Sequence, residues 1–297
     1  MIKKLIFSFI IIILFYSCSN INEQQRKNNT QFEKKIYNRV ISLAPSLTEI
    51  VYILNADTQL VGVTQFCVYP QEAQQKPKIG GYTNINFEQV ISLKPDLILA
   101  LPVHQNNFKK FEQLKIPFKE YRQNTVDDIR NSILKISEFL GRENEASNFL
   151  KIFDKEMNIA IDGIDRSKKF KVLIIVGRNF GELKNAVCAG RHSFYNDLIE
   201  RSGGINAAPE SALEYNSLNA ESIVSMNPDI IIEIYAPHSG MTAAKDENKL
   251  RKDWNIFKNV NAVKNQRIHY IIRDYATLPG PRIYLLFNNI KEIVLHN

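Results

Sequence analysis

Long apolar runs, catalytic signatures and cysteine are scarce in this chain, and each shortage narrows what it can be. The longest apolar stretch at the N-terminus, Leu5–Tyr16, has 12 residues, too short to span a bilayer comfortably. The sequence contains no G-x-S-x-G, no G-x-x-x-x-G-K-[ST], no H-E-x-x-H and no G-x-G-x-x-G, so the common hydrolase, nucleotide-phosphate, zinc-protease and dinucleotide motifs are missing. Ser46 lies near a predicted helix start, but no partnering base is identifiable, so it reads as a cap or a ligand contact and not as a nucleophile. The formal charge is +7, yet Lys3, Lys4, Arg26, Lys27, Lys34 and Lys35 against Glu23 and Glu33 place more than half of that excess ahead of Tyr37. No basic stripe with interleaved aromatics remains, which speaks against a nucleic-acid partner. Apart from Cys18, only Cys67 and Cys188 are present, so at most one disulfide is available to them; the alternative is two small buried residues.

What is present begins with an address. Lys3 and Lys4 precede the apolar run, and a small residue, Ser17, precedes Cys18. The pattern resembles a bacterial lipoprotein signal, in which Cys18 is lipidated and becomes the mature N-terminus. Phe15 stands where Leu is usual, and an ordinary signal peptide cut near Ser17 or a short anchor are the alternatives. Residues 19–35 are rich in Asn, Gln and Lys with little to bury, the composition of a flexible tether with a reach of about 20–25 Å. The expected organisation is a signal peptide at 1–17, a tether at 18–36, an N-terminal lobe at 37–124, linking helices at 125–165 and a C-terminal lobe at 166–297.

From Tyr37 onward, apolar bursts alternate with amphipathic stretches. "RVISL", "LVGVT", "DLILAL" and "IPFKEY" read as strands separated by helices over "PSLTEIVYILNA", "NFEQVISLK" and "NFKKFEQLK". "FKVLIIV", "DIIIEIY" and "RIHYII" repeat the scheme, with helices over "SFYNDLIERSGG" and "NAESIVSMN". Such alternation predicts α/β lobes, each a mainly parallel sheet flanked by helices. One phrase occurs twice: "FEQVISLKPDLILA" at 87–100 and "AESIVSMNPDIIIE" at 220–233. Two similar lobes account for it better than a solenoid, because the period is about half the chain. Between the lobes, Thr125 and Asp128 form a capping-box pattern, Gly141 ends a first helix, and Ala146, Phe149, Leu150, Phe153, Met157 and Ile161 stripe a second. A helix of that length, about 30 Å, serves as a rigid strut between the lobes.

"RVISLAPSLTEIVYILNA", "LVGVTQFCVYPQEAQQKPKIGGYTNINFEQVISLKPDLILA", "GRHSFYNDLIERSGGINAA" and "LPGPR" together resemble the helical-backbone (class III) substrate-binding proteins of ABC importers, over nearly the whole chain from Arg39. The cobalamin-binding branch is the nearest in pattern. The resemblance implies two Rossmann-like lobes joined by a backbone helix, a cleft between them, no catalysis and no resident cofactor. Its cargo is a corrinoid, or alternatively haem or a ferric siderophore, and its partner is an ABC permease dimer with ATPase subunits. The protein is then an exported monomer, periplasmic or envelope-bound through Cys18. An exported α/β enzyme is the alternative of a different class.

Ligands of open α/β sheets sit at the carboxyl ends of the strands, which points to the loops at 44–46, 65–69, 102–105, 177–181, 236–240 and 274–281. Phe66, Tyr82, Tyr215 and Tyr275 fall in predicted loops and match aromatic positions that line the corrin site in the resembled branch, and Asp274 matches a ligand-contacting acid. Core packing, or a solvated loop for Asp274, is the duller role. His104 and His238 follow the repeated strand of their own lobes and are candidate ligands for a cobalt or iron centre; exposed loop residues are the alternative. Tyr82 in its "GY" context keeps haem open. His192, His269 and His296 show no metal-ligand spacing. Glu88 and Glu221 lie in the first turn of predicted helices behind Asn86 and Asn219, where a carboxylate suits the helix dipole. The resemblance adds a second role for the pair, docking onto the two permease subunits.

Overall fold

The computed structural model describes residues 35–161, 167, 169–179, 181–211, 213–237 and 243–296. Two sheets carry the architecture. The first has the order β2-β1-β3-β4, all parallel, from β1 (Val40–Ser42), β2 (Leu60–Val63), β3 (Leu97–Ala100) and β4 (Phe118–Glu120). Helices α1 (Pro45–Ile53), α2 (Phe87–Ser92) and α3 (Gln105–Gln113) connect them. Every residue of β1 and β3 is buried, which is why these strands read as unbroken apolar bursts: a parallel strand is covered on both faces. Gly62 in β2 is needed for that cover, since a Cβ there would come within 2.7 Å of Leu93 Cδ1.

The linking helices are α4 (Val126–Leu140) and α5 (Glu143–Ile161). The capping box forms: the Asp128 N–H donates to Thr125 Oγ1 at 3.0 Å and the Thr125 N–H donates to Asp128 Oδ2 at 3.1 Å. Gly141 closes α4 at φ 65°, in the left-handed region that favours glycine. The 19 residues of α5 span about 28 Å. Ile129, Ile133 and Ile136 of α4 and Leu150, Phe153 and Met157 of α5 belong to one apolar core with Val40 and Leu97 of the first sheet and Val172 and Ile230 of the second. Because the same core reaches both sheets, the strut is packed in from Ala146 to Met157.

The second sheet runs β10-β9-β5-β6-β8, with β7 also beside β5. Its strands are β5 (Lys171–Gly177), β6 (Val187–Ala189), β7 (Ile205–Asn206), β8 (Tyr215–Ser217), β9 (Ile230–Tyr235) and β10 (Ile268–Ile272). Strands β7, β9 and β10 keep the parallel sense of β5, whereas β6 runs antiparallel to β5 and pairs antiparallel with β8. The helices are α6 (Phe194–Arg201), α7 (Ala220–Met226), α8 (Ala243–Asp253), α9 (Asn261–Lys264) and α10 (Ile283–Leu295).

The repeated phrase is one folded unit used twice. Asn86 caps α2 by accepting from the Gln89 N–H at 3.1 Å, and Asn219 caps α7 by accepting from the Ser222 N–H at 2.7 Å. Each helix is followed by a left-handed residue, Lys94 at φ 45° and Asn227 at φ 41°, and then Pro-Asp. Asp96 donates its N–H to the Arg39 carbonyl at 2.9 Å and accepts the Arg39 N–H on its carboxylate at 2.9 Å. Asp229 makes the same exchange with Lys171, at 2.8 and 2.9 Å. The aspartate thus clamps the start of the neighbouring strand and fixes its register, Val40 opposite Leu97 and Val172 opposite Ile230.

Candidate ligand-binding cleft

A cavity of about 880 Å³ opens where both sheets end, in the size range of small-molecule sites. From the first lobe it takes Pro45 and Ser46 after β1, Phe66 after β2, Leu101–Val103 after β3, and Gln123 and Asn124 after β4. The second lobe contributes Phe194 at the start of α6, Glu214 and Tyr215 at β8, and Thr277–Pro279 after β10. Tyr82 completes the first-lobe wall.

Phe66, Tyr82 and Tyr215 therefore meet on one surface. Phe66 is 50% exposed and Tyr215 is 40% exposed, large apolar areas left open in a concave site. Burial raises the Tyr82 phenol pKa, with smaller contributions from Cys67 and Glu214. The Tyr215 phenol is raised as well, first by desolvation of its hydroxyl end and then by Glu214 and Tyr82. Both rings are neutral phenols at physiological pH, offering a flat face and an O–H donor.

His104 lies behind this wall. It is fully buried; its Nδ1 accepts from the Leu101 N–H at 2.9 Å, so its Nε2 carries the proton and donates to the Tyr82 carbonyl at 3.0 Å. Its ring packs edge-on against the Tyr82 ring, 5.2 Å between centroids. Both nitrogens are committed to backbone, and burial lowers the pKa. The imidazole positions Tyr82 and presents no free nitrogen to the cleft. Asp274 and Tyr275 are also off the lining. Asp274 accepts from Arg282 at 2.7 Å, and the Tyr275 hydroxyl donates to Asn289 Oδ1 at 2.9 Å. Their chain neighbours Thr277–Pro279 form the wall instead. His238 and Cys18 lie outside the described residues. Glu88 and Glu221 are exposed in the first turns of α2 and α7, away from the cleft lining.

Several pairings at the cleft have no sequence signal. Ser46 Oγ donates to Gln123 Oε1 at 2.6 Å across 77 residues. Asn124 Nδ2 donates to the His192 carbonyl at 2.7 Å and to Glu214 Oε1 at 2.6 Å, joining the two lobes at the rim. Beneath, Arg282 at the start of α10 binds buried Glu49 of α1 through two hydrogen bonds, 3.0 and 2.7 Å, and lies 3.7 Å over the Tyr69 ring. Burial pushes the Glu49 carboxyl up while the guanidinium pulls it down, burial being the larger. Cys67 and Cys188 are buried and unbridged; Cys67 Sγ sits 3.2 Å from the hydroxyls of Thr48 and Thr64. Among the described residues no cluster of three or more His, Cys, Asp or Glu is placed to hold a metal ion.

Comparison with known proteins agrees with this fold. The chain is 30% identical over 268 residues to an uncharacterized ABC transporter substrate-binding lipoprotein, YvrC, of Bacillus subtilis, covering 88% of this chain and 80% of that one. It is 25% identical over 262 residues to a vitamin B12-binding protein of Vibrio parahaemolyticus, covering 87% and 88%. Among solved structures, a possible iron-binding (periplasmic solute-binding) protein of Staphylococcus epidermidis superposes with a TM-score of 0.71 at 28% identity, covering 88% and 99%. These relatives are binding proteins and not enzymes. A family model described as periplasmic binding protein matches residues 40–275, the span that holds both sheets and the strut, and the chain belongs to that family.

Proposed function

We propose that this chain is the exported capture component of an ABC importer and that its cargo is a corrinoid, handed to a permease dimer driven by ATPase subunits. The observation that carries the cargo assignment is the charge of the cleft. Its described lining holds aromatics, aliphatics, amides and hydroxyls, a single carboxylate at Glu214, and no Lys, Arg or His. A corrinoid presents a broad apolar ring fringed with neutral amides, which pair with Gln123, Asn124 and the tyrosine hydroxyls. Haem brings propionates, and many ferric siderophores are anionic; either would bury a negative charge beside Glu214 with no cation on the described wall to meet it, a costly arrangement. The likeness to the Vibrio protein named for vitamin B12 points the same way.

In this reading Phe66, Tyr82 and Tyr215 are the walls, His104 holds Tyr82 in place, Asp274 and Tyr275 support the neighbouring Thr277–Pro279 wall, and His238 is a further candidate contact. The lobes are 37–124 and 166–297 with the strut at 125–165, Cys18 is the lipid anchor, and Glu88 and Glu221 dock the permease. Haem or a ferric chelate is the second reading, favoured by Tyr82 on the wall and by the solved Staphylococcus structure described as possibly iron-binding. The test is calorimetric titration of the chain from Ser19 onward with cyanocobalamin, haemin and ferric siderophores. Calorimetry is preferred to tryptophan quenching because Trp254 is buried and its indole N–H is held by Glu233. Cyanocobalamin is expected to bind one to one, and Tyr82→Ala with Tyr215→Ala to weaken it by about tenfold or more, with a modest loss of stability because Tyr82 packs on the core. Tighter binding of haemin or a siderophore than of cyanocobalamin overturns the corrinoid assignment.

A further inference from the structure

The two helices that carry Glu88 and Glu221 share another feature that folding does not explain. Each buries one β-branched residue, Val90 in α2 and Ile223 in α7, both fully inaccessible. The residue that follows is also β-branched and apolar, and it faces solvent: Ile91 is 48% exposed and Val224 is 54% exposed. The two occupy the same register of the repeat, three residues after the glutamate. At that spacing on a helix the two side chains are neighbours on one face. Neither carboxylate has an ion-pair or hydrogen-bond partner among the described residues. Isolated apolar residues on a surface are ordinary. Here the same pair, a free acid beside an exposed β-branched side chain, occurs once in each lobe at equivalent positions.

We infer that Ile91 and Val224 are docking knobs, and that each lobe presents a composite contact of carboxylate plus apolar side chain to one subunit of a two-fold permease. This rests on the importer reading and on docking by the glutamates, and adds the partner's chemistry: each subunit offers a cation beside a shallow apolar socket. The division of labour follows from physics. The acids steer encounter and orientation through charge, an effect that salt screens. The β-branched side chains add burial on contact, which salt does not screen. Two equivalent contacts on a pseudo-symmetric protein match a partner with two-fold symmetry.

The test measures binding of the full chain to its own permease–ATPase complex in nanodiscs, across a salt series. The variants are Ile91→Ser with Val224→Ser, and separately Glu88→Ala with Glu221→Ala. The serine pair is expected to bind about tenfold more weakly with the salt dependence of the wild type. The alanine pair is expected to bind more weakly with a flattened salt dependence. Both should keep the melting temperature, because Val90 and Ile223 still seat the helices. If the serine pair binds like wild type while the alanine pair fails, the knobs are refuted and acid docking stands. If neither pair changes binding, the docking reading itself is refuted. A dimer of the chain in light scattering that the serine pair abolishes would make a second copy the occupant and overturn the inference.

Discussion

Residues 86–98 and 219–231 fold alike down to the same cap, the same left-handed residue and the same aspartate clamp, yet the strands they lead into end in different chemistry. Strand β3 ends in apolar residues and then His104, a neutral ring whose nitrogens serve two backbone groups. Strand β9 ends around Glu233, fully buried, which accepts from Arg178 at 2.7 Å, from the Trp254 indole at 2.6 Å and from the Tyr235 hydroxyl. Arg178, its side chain equally buried, also reaches Asp253 at 2.7 Å. The duplicated phrase is therefore scaffold grammar: it sets where a strand starts and in which register. What each lobe does is written at the opposite, carboxyl ends, where the two halves have no common text.

The sharpest way to break this contrast is to remove the buried charge that packs on β9 and has no counterpart on β3. Burial works against the Arg178 charge, but the hydrogen bonds to Glu233 and Asp253 and the charge of Glu233 outweigh it and keep the guanidinium protonated. Arg178→Met leaves Glu233 buried without its cation, a change that costs about 3–5 kcal/mol in comparable sites. Urea unfolding of the variant should show a loss of that size, and adding Glu233→Gln should return part of it. A loss under about 1 kcal/mol would mean that apolar packing alone holds the end of β9, as it does the end of β3, and the contrast would vanish.

The shared half of the comparison is tested by Asp96→Ala and Asp229→Ala. Each removes charge-assisted hydrogen bonds to backbone: two N–H groups, of Asn38 and Arg39, in the first lobe, and the Lys171 N–H plus the Asn261 side chain in the second. Each variant is expected to lose about 1–2 kcal/mol, and the two losses should be similar. A one-sided loss in the same unfolding assay would show that one copy of the phrase has kept its sequence but not its job.

How much of this was legible beforehand follows the range of the interactions. Alternating bursts gave the parallel strands, and local chemistry gave α4, because Thr125, Asp128 and Gly141 act within one turn of their own positions. The short strands β6, β7 and β8 were not legible: two or three residues cannot show an alternation, and they exist because β5 offers an edge. Phe66 reaches the cleft from the loop after β2, Tyr82 from the stretch that leads into α2, and Tyr215 from the first position of β8. The Ser46–Gln123 and Asn124–Glu214 pairs, and the Arg178 cluster, join residues 55 to 90 apart, and no local pattern marks them. His104 follows its strand as expected, but the backbone N–H and carbonyl it satisfies turn it inward, away from the cleft that a loop position suggested.

That inward turn yields the smallest and most specific effect. Burial lowers the His104 pKa from its ordinary 6.5, so the unfolded chain takes up this proton at a higher pH than the folded chain does. The contribution to stability is full above about 6.5 and is lost as the pH falls through the folded-state value. Protonation also removes the acceptor that the Leu101 N–H uses, which loosens the backbone behind Tyr82. Nothing equivalent happens in the second lobe, where Arg178 holds its proton throughout this range. Urea midpoints at about pH 7.5 and about pH 5.5 should therefore differ more in the wild type than in His104→Gln, and cargo binding should weaken on acidification in the wild type more than in the variant. Equal pH dependence in both proteins would show that His104 is not the titrating hinge of the first-lobe wall, and that the two strand ends differ in charge but not in their response to pH.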